Sequence, residues 1–291
     1  MRRRSSCPRI LLLAAVALIA MPGEPECGYR IRPGALSVLA SGELLVLDGD
    51  RGLFRFSPDS GAPVPIAQFG LFSGVDLASA AIGGTESAFV ILQSTASSEL
   101  RRIDLGSRKI EKWRLPLWRG NLSGVALDPQ GKLAYVAGGR SDEIYKVDLG
   151  RPSSLGVRFT RVQIGANLGP IVLDRKRTRL LMADERGSIF GVDLATGSAR
   201  LIASFAGEAS ALVVNARTDE LLIADSLGRK IWKLALGSEA TRPVQLVRLK
   251  EFRSPLGLAL GPGGAIWVGD ELAGAIFLLD QNGRLLRTFK L

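Results

Sequence analysis

Leu221 to Leu234 reads LLIADSLGRKIWKL. It is an apolar run ending on Asp225, a short turn containing Gly228, and a second run in which apolar and charged residues alternate. Runs of four to six residues split by a Gly-bearing turn describe a β-hairpin and are too short for a pair of helices. The hairpin recurs as LLVLDGDRGLFRF (Leu44 to Phe56), LLMADERGSIFGVD (Leu180 to Asp193) and AIWVGDELAGAIFLLD (Ala265 to Asp280). Aligning the acid at the end of the first run gives Asp48, Asp184, Asp225 and Asp270. Gly138 takes that slot in another copy, and a sixth copy near Leu92 and Gln93 lacks the acid. With Leu92 as marker, successive intervals are 44, 46, 46, 41 and 45 residues. A repeat of this length cannot bury its apolar faces alone and must stack on its neighbours. Since each repeat reads as strands, the expected fold is all-β, a six-bladed β-propeller with four-stranded antiparallel blades around a central channel.

Within one repeat, turn chemistry sets the strands. Ser123 to Asp128 is an inner strand, and Pro129-Gln130-Gly131 supplies a turn of fixed and permissive backbone angles. Leu133 to Ala137, Ile144 to Leu149 and Phe159 to Ile164 complete the blade. The expected blades span about 33–69, 70–115, 118–165, 166–207, 208–252 and 253–291. The last contains all its own strands, so the ring closes by face packing, with an outer strand from Tyr29 to Arg32 as the alternative. No stretch after residue 30 sustains the 3.6 period of a helix, which excludes a doubly wound α/β fold. A hydrophobic content of 46% excludes disorder.

Residues 1–23 differ from the rest. Arg2, Arg3, Arg4 and Arg9 precede an uncharged apolar run, Ile10 to Met21, of 12 residues. That length fits a secretory signal and falls short of a membrane span. The expectation is a signal peptide over 1–23, a lead-in over 24–32, and a secreted or periplasmic product with no membrane span after cleavage. Cys27 follows Glu26 rather than small residues, unlike a lipid-attachment site, and with Cys7 lost it has no internal partner. Loss of four arginines leaves 34 basic against 28 acidic residues, +6. The one dense run, Arg175-Lys176-Arg177-Thr178-Arg179, reads as a solvated hairpin, with binding to an anionic polymer or lipid surface as the alternative, and without interleaved aromatics no nucleic acid is expected.

The chain contains no His. This excludes Ser-His and Cys-His nucleophile pairs and His-bearing metal sites. Catalysis would rest on carboxylates, amides, Lys, Arg, Tyr or an oxygen-ligated cation such as calcium.

The order of apolar strand, D-P-x-G turn, apolar strand, acidic turn and third strand, in Gly124 to Leu149 and Leu256 to Asp280, resembles the six-bladed NHL-repeat propellers. It is similar also to the superfamily of senescence marker protein, gluconolactonases and related lactone hydrolases. In the lactonase branch the resemblance implies a calcium at the channel top, held by one Glu, two Asn and one Asp. Carried onto this chain, the Asn positions are Ser123 and Gly169, the Asp position is Ser210, and the Glu falls within Arg32-Pro33-Gly34-Ala35. None of these residues is the family ligand.

Two residues earlier in the same register stand Asn121, Asn167 and Glu208, hard oxygen donors suited to a cation or a hydroxylated molecule. Side chains two apart on a strand share a face, so these three, with Trp118 in the loop before Asn121, are the candidate ligand-binding residues at the channel mouth; the alternative is that the three hydrogen-bond the loops leading into each blade. No catalytic residue and no metal ligand is assigned. The recurring Asp residues read as turn-formers, and Trp113, Trp232 and Trp267 as packing groups. The leading expectation is an exported, non-catalytic module binding a protein or small polar ligand on its top face, without a cofactor. The alternative is a calcium-assisted lactonase or hydrolase with a displaced site at Asn121, Asn167 and Glu208, where the cation polarises a carbonyl. A third reading docks a protein on the side of the ring and leaves the channel idle.

Overall fold

In a computed structural model that describes residues 31–82, 84–116, 122–128, 130–138, 142–162, 167–237 and 242–291, the strands form six four-stranded antiparallel sheets. Blade 1 holds β1 (Ala35–Val38), β2 (Leu44–Asp48), β3 (Gly52–Phe56) and β4 (Pro63–Ala67). Blade 2 holds β5 (Ser73–Ile82), β6 (Thr85–Gln93), β7 (Ser98–Asp104) and β8 (Ile110–Leu115). Blade 3 holds β9 (Leu122–Leu127), β10 (Leu133–Gly138), β11 (Glu143–Asp148) and β12 (Val157–Arg161). Blade 4 holds β13 (Leu168–Asp174), β14 (Arg179–Asp184), β15 (Ser188–Asp193) and β16 (Ala199–Ser204). Blade 5 holds β17 (Ala209–Asn215), β18 (Glu220–Asp225), β19 (Lys230–Ala235) and β20 (Val244–Arg248). Blade 6 holds β21 (Pro255–Leu260), β22 (Ile266–Asp270), β23 (Ala275–Leu279) and β24 (Leu285–Lys290). The expected six-bladed propeller is the fold.

The burial of each strand follows its distance from the channel. Every residue of β2, β14 and β22 is buried, because the second strand is covered by a neighbouring blade on both faces. These strands therefore read as continuous apolar runs, whereas the outer strands, such as β12 and β16, are largely exposed. The weak outer signal accounts for the shift of β12 from the expected Phe159 to Ile164. The chain before it is captured by the neighbouring blade: Ser153 N–H donates to Lys112 O, Arg114 N–H to Ser154 O and Gly156 N–H to Arg114 O. That bridge between blades ends at Gly156, and β12 begins at Val157.

Six apolar clusters lie between the blades, one per junction. Alternate side chains of a second strand feed the two neighbouring clusters, as Leu45 and Leu47 face blade 2 while Leu44 and Val46 face blade 6. Trp113 is fully buried at the junction of blades 2 and 3, and Trp267 lies in the closing cluster. Inner strands approach so closely that a Cβ on Gly124 would lie 2.8 Å from Ile171 N and one on Gly257 2.9 Å from Leu36 Cγ. Only glycine fits where one backbone is laid against the next.

Closure uses face packing. Blade 6 is completed by its own β24, and Tyr29 lies outside the described residues. Ile31, Leu36, Leu44, Val46 and Phe56 meet Ala259, Trp267, Ile276 and Phe289 across the junction. Phe56 and Phe289 meet edge to face with centroids 5.1 Å apart. Truncation of the fully buried Phe56 to Ala should cost about 3–5 kcal/mol, the range for emptying an aromatic core site. Thermal unfolding should show the drop in midpoint; a change within about 0.5 kcal/mol would mean that closure rests elsewhere.

Candidate functional site

One end of the ring carries the entry into each inner strand and the turn between second and third strands. Asp48, Asp184, Asp225 and Asp270 stand beneath these turns and are buried. Asp270 accepts N–H groups of Arg253 (2.7 Å) and Ser254 (2.9 Å) from the entering chain and Ala273 (2.9 Å) from the turn. Asp48 accepts from Arg32 (2.8 Å), Asp50 and Arg51. Asp225 accepts from Glu208, Gly228 (2.7 Å) and the Trp232 indole (2.9 Å). Asp184 accepts from Arg186 and Ser188. A buried carboxylate is retained where several N–H donors replace its hydration. These acids hold the face rigid from beneath. Blade 2, with Leu92 in that slot, uses Gln93 instead, whose side-chain oxygen accepts Leu122 N–H from blade 3 (3.0 Å).

The candidate residues divide. Asn121 and Trp118 lie outside the described residues. Asn167 is exposed just before β13 and donates its carboxamide N–H to Glu185 (2.6 Å) in the turn of the same blade. Glu208 is half-buried before β17, its N–H directed to Asp225. Of the positions implied by the resemblance, Ser210 donates to Pro255 O (2.6 Å) and Ser123 to Ala137 O. A Cβ on Gly169 would lie 3.1 Å from Ala183 O. Among the described residues no group of three or more Asp, Glu or Cys converges. The Arg175–Arg179 run is solvated in part, at Arg175, Lys176 and Thr178, and its other two cations are engaged. Arg177 grips Asp219 of blade 5 with two N–H groups (2.6 and 2.8 Å), and the buried Arg179 donates to Asp174 (3.0 Å).

The inner strands enclose a cavity of about 430 Å³, lined mainly by apolar side chains. Its mouth, about 220 Å³, is bordered by Arg32, Ser210 and Glu271. Ser37 bonds Ser79 (2.7 Å) across blades 1 and 2, as Ser210 joins blades 5 and 6. Inner strands are edges, and such side chains occupy groups that would otherwise be unpaired. Asp76 in β5 does the same, accepting Val125 N–H of β9 at 2.8 Å. It pairs with Ile91, the residue before Leu92; the matching positions in the other blades are Ala35, Gly124, Pro170, Ala211 and Gly257. A carboxyl stands where every other blade has a small residue or proline.

Burial pushes the Asp76 carboxyl up to about 7, outweighing the opposing bonds from Val125 and Leu77 N–H groups. Arg175, past the far end of β13, is the other ionisable group of the lining. A carboxyl poised near neutrality in an apolar recess can hold a small cation or exchange a proton. Because its folded value exceeds the unfolded one, Asp76 costs nothing below pH 4, and the destabilisation grows until pH 7. Asp76→Asn, which keeps an oxygen for Val125 N–H, should leave stability at pH 4 unchanged and raise it at pH 8 by on the order of 2 kcal/mol. Denaturant unfolding at the two pH values checks this, and equal gains at both would remove the titration from the account.

The fold has many counterparts of known structure. A chain of the nidogen/laminin complex aligns with TM-score 0.69 and 16% identity, over 86% of this chain and 93% of that one. A structural genomics protein of unknown function from Bacteroides thetaiotaomicron gives 0.70 and 14%, over 86% and 70%. Virginiamycin B lyase from Staphylococcus aureus gives 0.63 and 14%, over 91% and 86%. No protein-family model and no curated protein sequence matches the chain. At such identities the likeness carries shape alone: the chain is a six-bladed β-propeller.

Proposed function

We propose that this chain is an exported, non-catalytic propeller that binds a protein partner through the face bearing the strand entries and second-to-third-strand turns. The observation that carries the reading is a division of labour within those turns. Some of their backbone N–H groups are engaged from below by buried aspartates, while large side chains project outward. Leu227 and Leu272 occupy the same slot in blades 5 and 6 and are 75% and 67% exposed. Arg229 and Arg253 are exposed beside them. A rigid scaffold displaying cationic and large apolar side chains has the composition of a recognition surface. The similar fold in the nidogen/laminin complex supports a protein partner for this one. Export rests on the basic, then apolar, composition of residues 1–23. No helix among the described residues is long and apolar enough to cross a membrane.

A photoreactive residue placed at Leu272 of the full chain, in cells that make it, should yield one discrete protein adduct. The same group at Leu201, exposed on the outer strand β16, should yield none. An adduct at Leu201 with none at Leu272 would move the interface to the side of the ring. The recovered chain should begin within residues 21–28; one retaining Met1 would overturn export.

A further inference from the structure

A cleft of about 510 Å³ opens on the same face at the junction of blades 5 and 6, lined by Arg229, Lys250, Arg253 and Leu272. We infer that this cleft takes carboxylate side chains of an acidic peptide segment, with Leu272 as its apolar contact. The inference rests on the partner-binding reading and names the chemistry of the partner.

Three cations border one depression, and among the described residues none of them forms an ion pair. Elsewhere in the ring many arginines are matched, as Arg177 is with Asp219 and Arg179 with Asp174. Like charges around one cleft repel, and an anion relieves them. The nearest acids in sequence, Glu251 and Glu271, do not line the cleft, and Glu271 borders the channel mouth instead.

Arg229 is one of six described non-glycine residues at positive φ. It holds a left-handed backbone, φ 55°, four residues after Asp225. The equivalent position four residues after Asp270 is Gly274, also at φ 55°. Gly52, four residues after Asp48, and Gly187, three after Asp184, are also at positive φ. A side chain at such a position is strained where glycine is not, so the turn of blade 5 retains Arg at a cost to the fold.

The donors available decide the kind of anion. A compact phosphate site is built from converging backbone N–H groups. Here the N–H groups of Gly228, Arg253, Ser254 and Ala273 are already given to Asp225 and Asp270. The groups that line the cleft are flexible side-chain cations, spread around a wide opening beside an exposed leucine. Separate carboxylates flanking an apolar residue fit that arrangement.

The test titrates the full chain, at physiological salt, with a fluorescent peptide carrying several Asp and Glu around one Leu. Its Asn/Gln counterpart and a heparin oligosaccharide serve as comparison probes. The acidic peptide should bind at least tenfold more tightly than the amide peptide. Arg229→Gly and Arg253→Gln should each weaken it by about tenfold, the scale of a central interface arginine. Relief of the left-handed turn should raise the melting temperature of Arg229→Gly by about 1 °C to 2 °C, which separates lost binding from lost folding. Unchanged affinity in Arg229→Gly overturns the proposal, as does heparin binding that needs Arg229 while the acidic peptide fails to bind. Adducts at Leu272 that survive the Arg229→Gly/Arg253→Gln pair leave the partner-binding reading standing and remove the acidic-peptide assignment.

Discussion

The buried aspartate at the end of the second strand is the constraint from which most of this structure follows. In blade 6, one carboxylate joins three elements: the end of β22, the chain arriving from blade 5 and the turn leading to β23. Its free energy depends on those N–H donors, since an uncompensated carboxylate at that depth would be strongly unfavourable. The blade therefore forms its hairpin and docks its incoming connector together or not at all. The device recurs in blades 1 and 5, where Asp48 and Asp225 also accept N–H groups of the entering chain, while Asp184 of blade 4 accepts from its turn.

Between these clamps the stabilisation is apolar and local. Each junction is a separate cluster, and alternate residues of one strand supply two of them, so no blade is stable apart from its neighbours. Closure by the Phe56–Phe289 junction is the same interaction as at the other five junctions. A ring closed this way needs aromatic bulk where blade 6 meets blade 1, which Trp267 also supplies.

This explains what was legible in the sequence. Asp48, Asp184, Asp225 and Asp270 mark the period because one structural demand imposes one residue type. The second strands read clearly because both faces are covered. The outer strands read poorly because solvent tolerates most residues there, and β12 starts ahead of the expected Phe159 for a further reason, the bridge from Arg114 to residues 154–156, which links positions far apart in the chain. Asp76 was illegible without the strand register, which shows that its counterparts are small residues or proline. The basic cleft is assembled from residues 229, 250, 253 and 272, drawn from two turns and a connector, and no local pattern joins them. The Arg175–Arg179 run was legible as a cluster of charge but not as a clamp, since its partner Asp219 lies in the next blade.

The same clamps limit what the exposed face can do. A turn that gives N–H groups to a buried carboxylate has fewer backbone donors left for a ligand. Recognition then falls mainly to side chains above the turn, whose identity is free to vary from blade to blade as long as the acid beneath remains. Arg229 and Gly274 share one backbone conformation at one position, yet only Arg229 brings a cation to the surface. Stability and recognition thus occupy different atoms of the same turn, and at the left-handed residue of blade 5 a cationic side chain stands on a backbone that glycine would adopt with less strain.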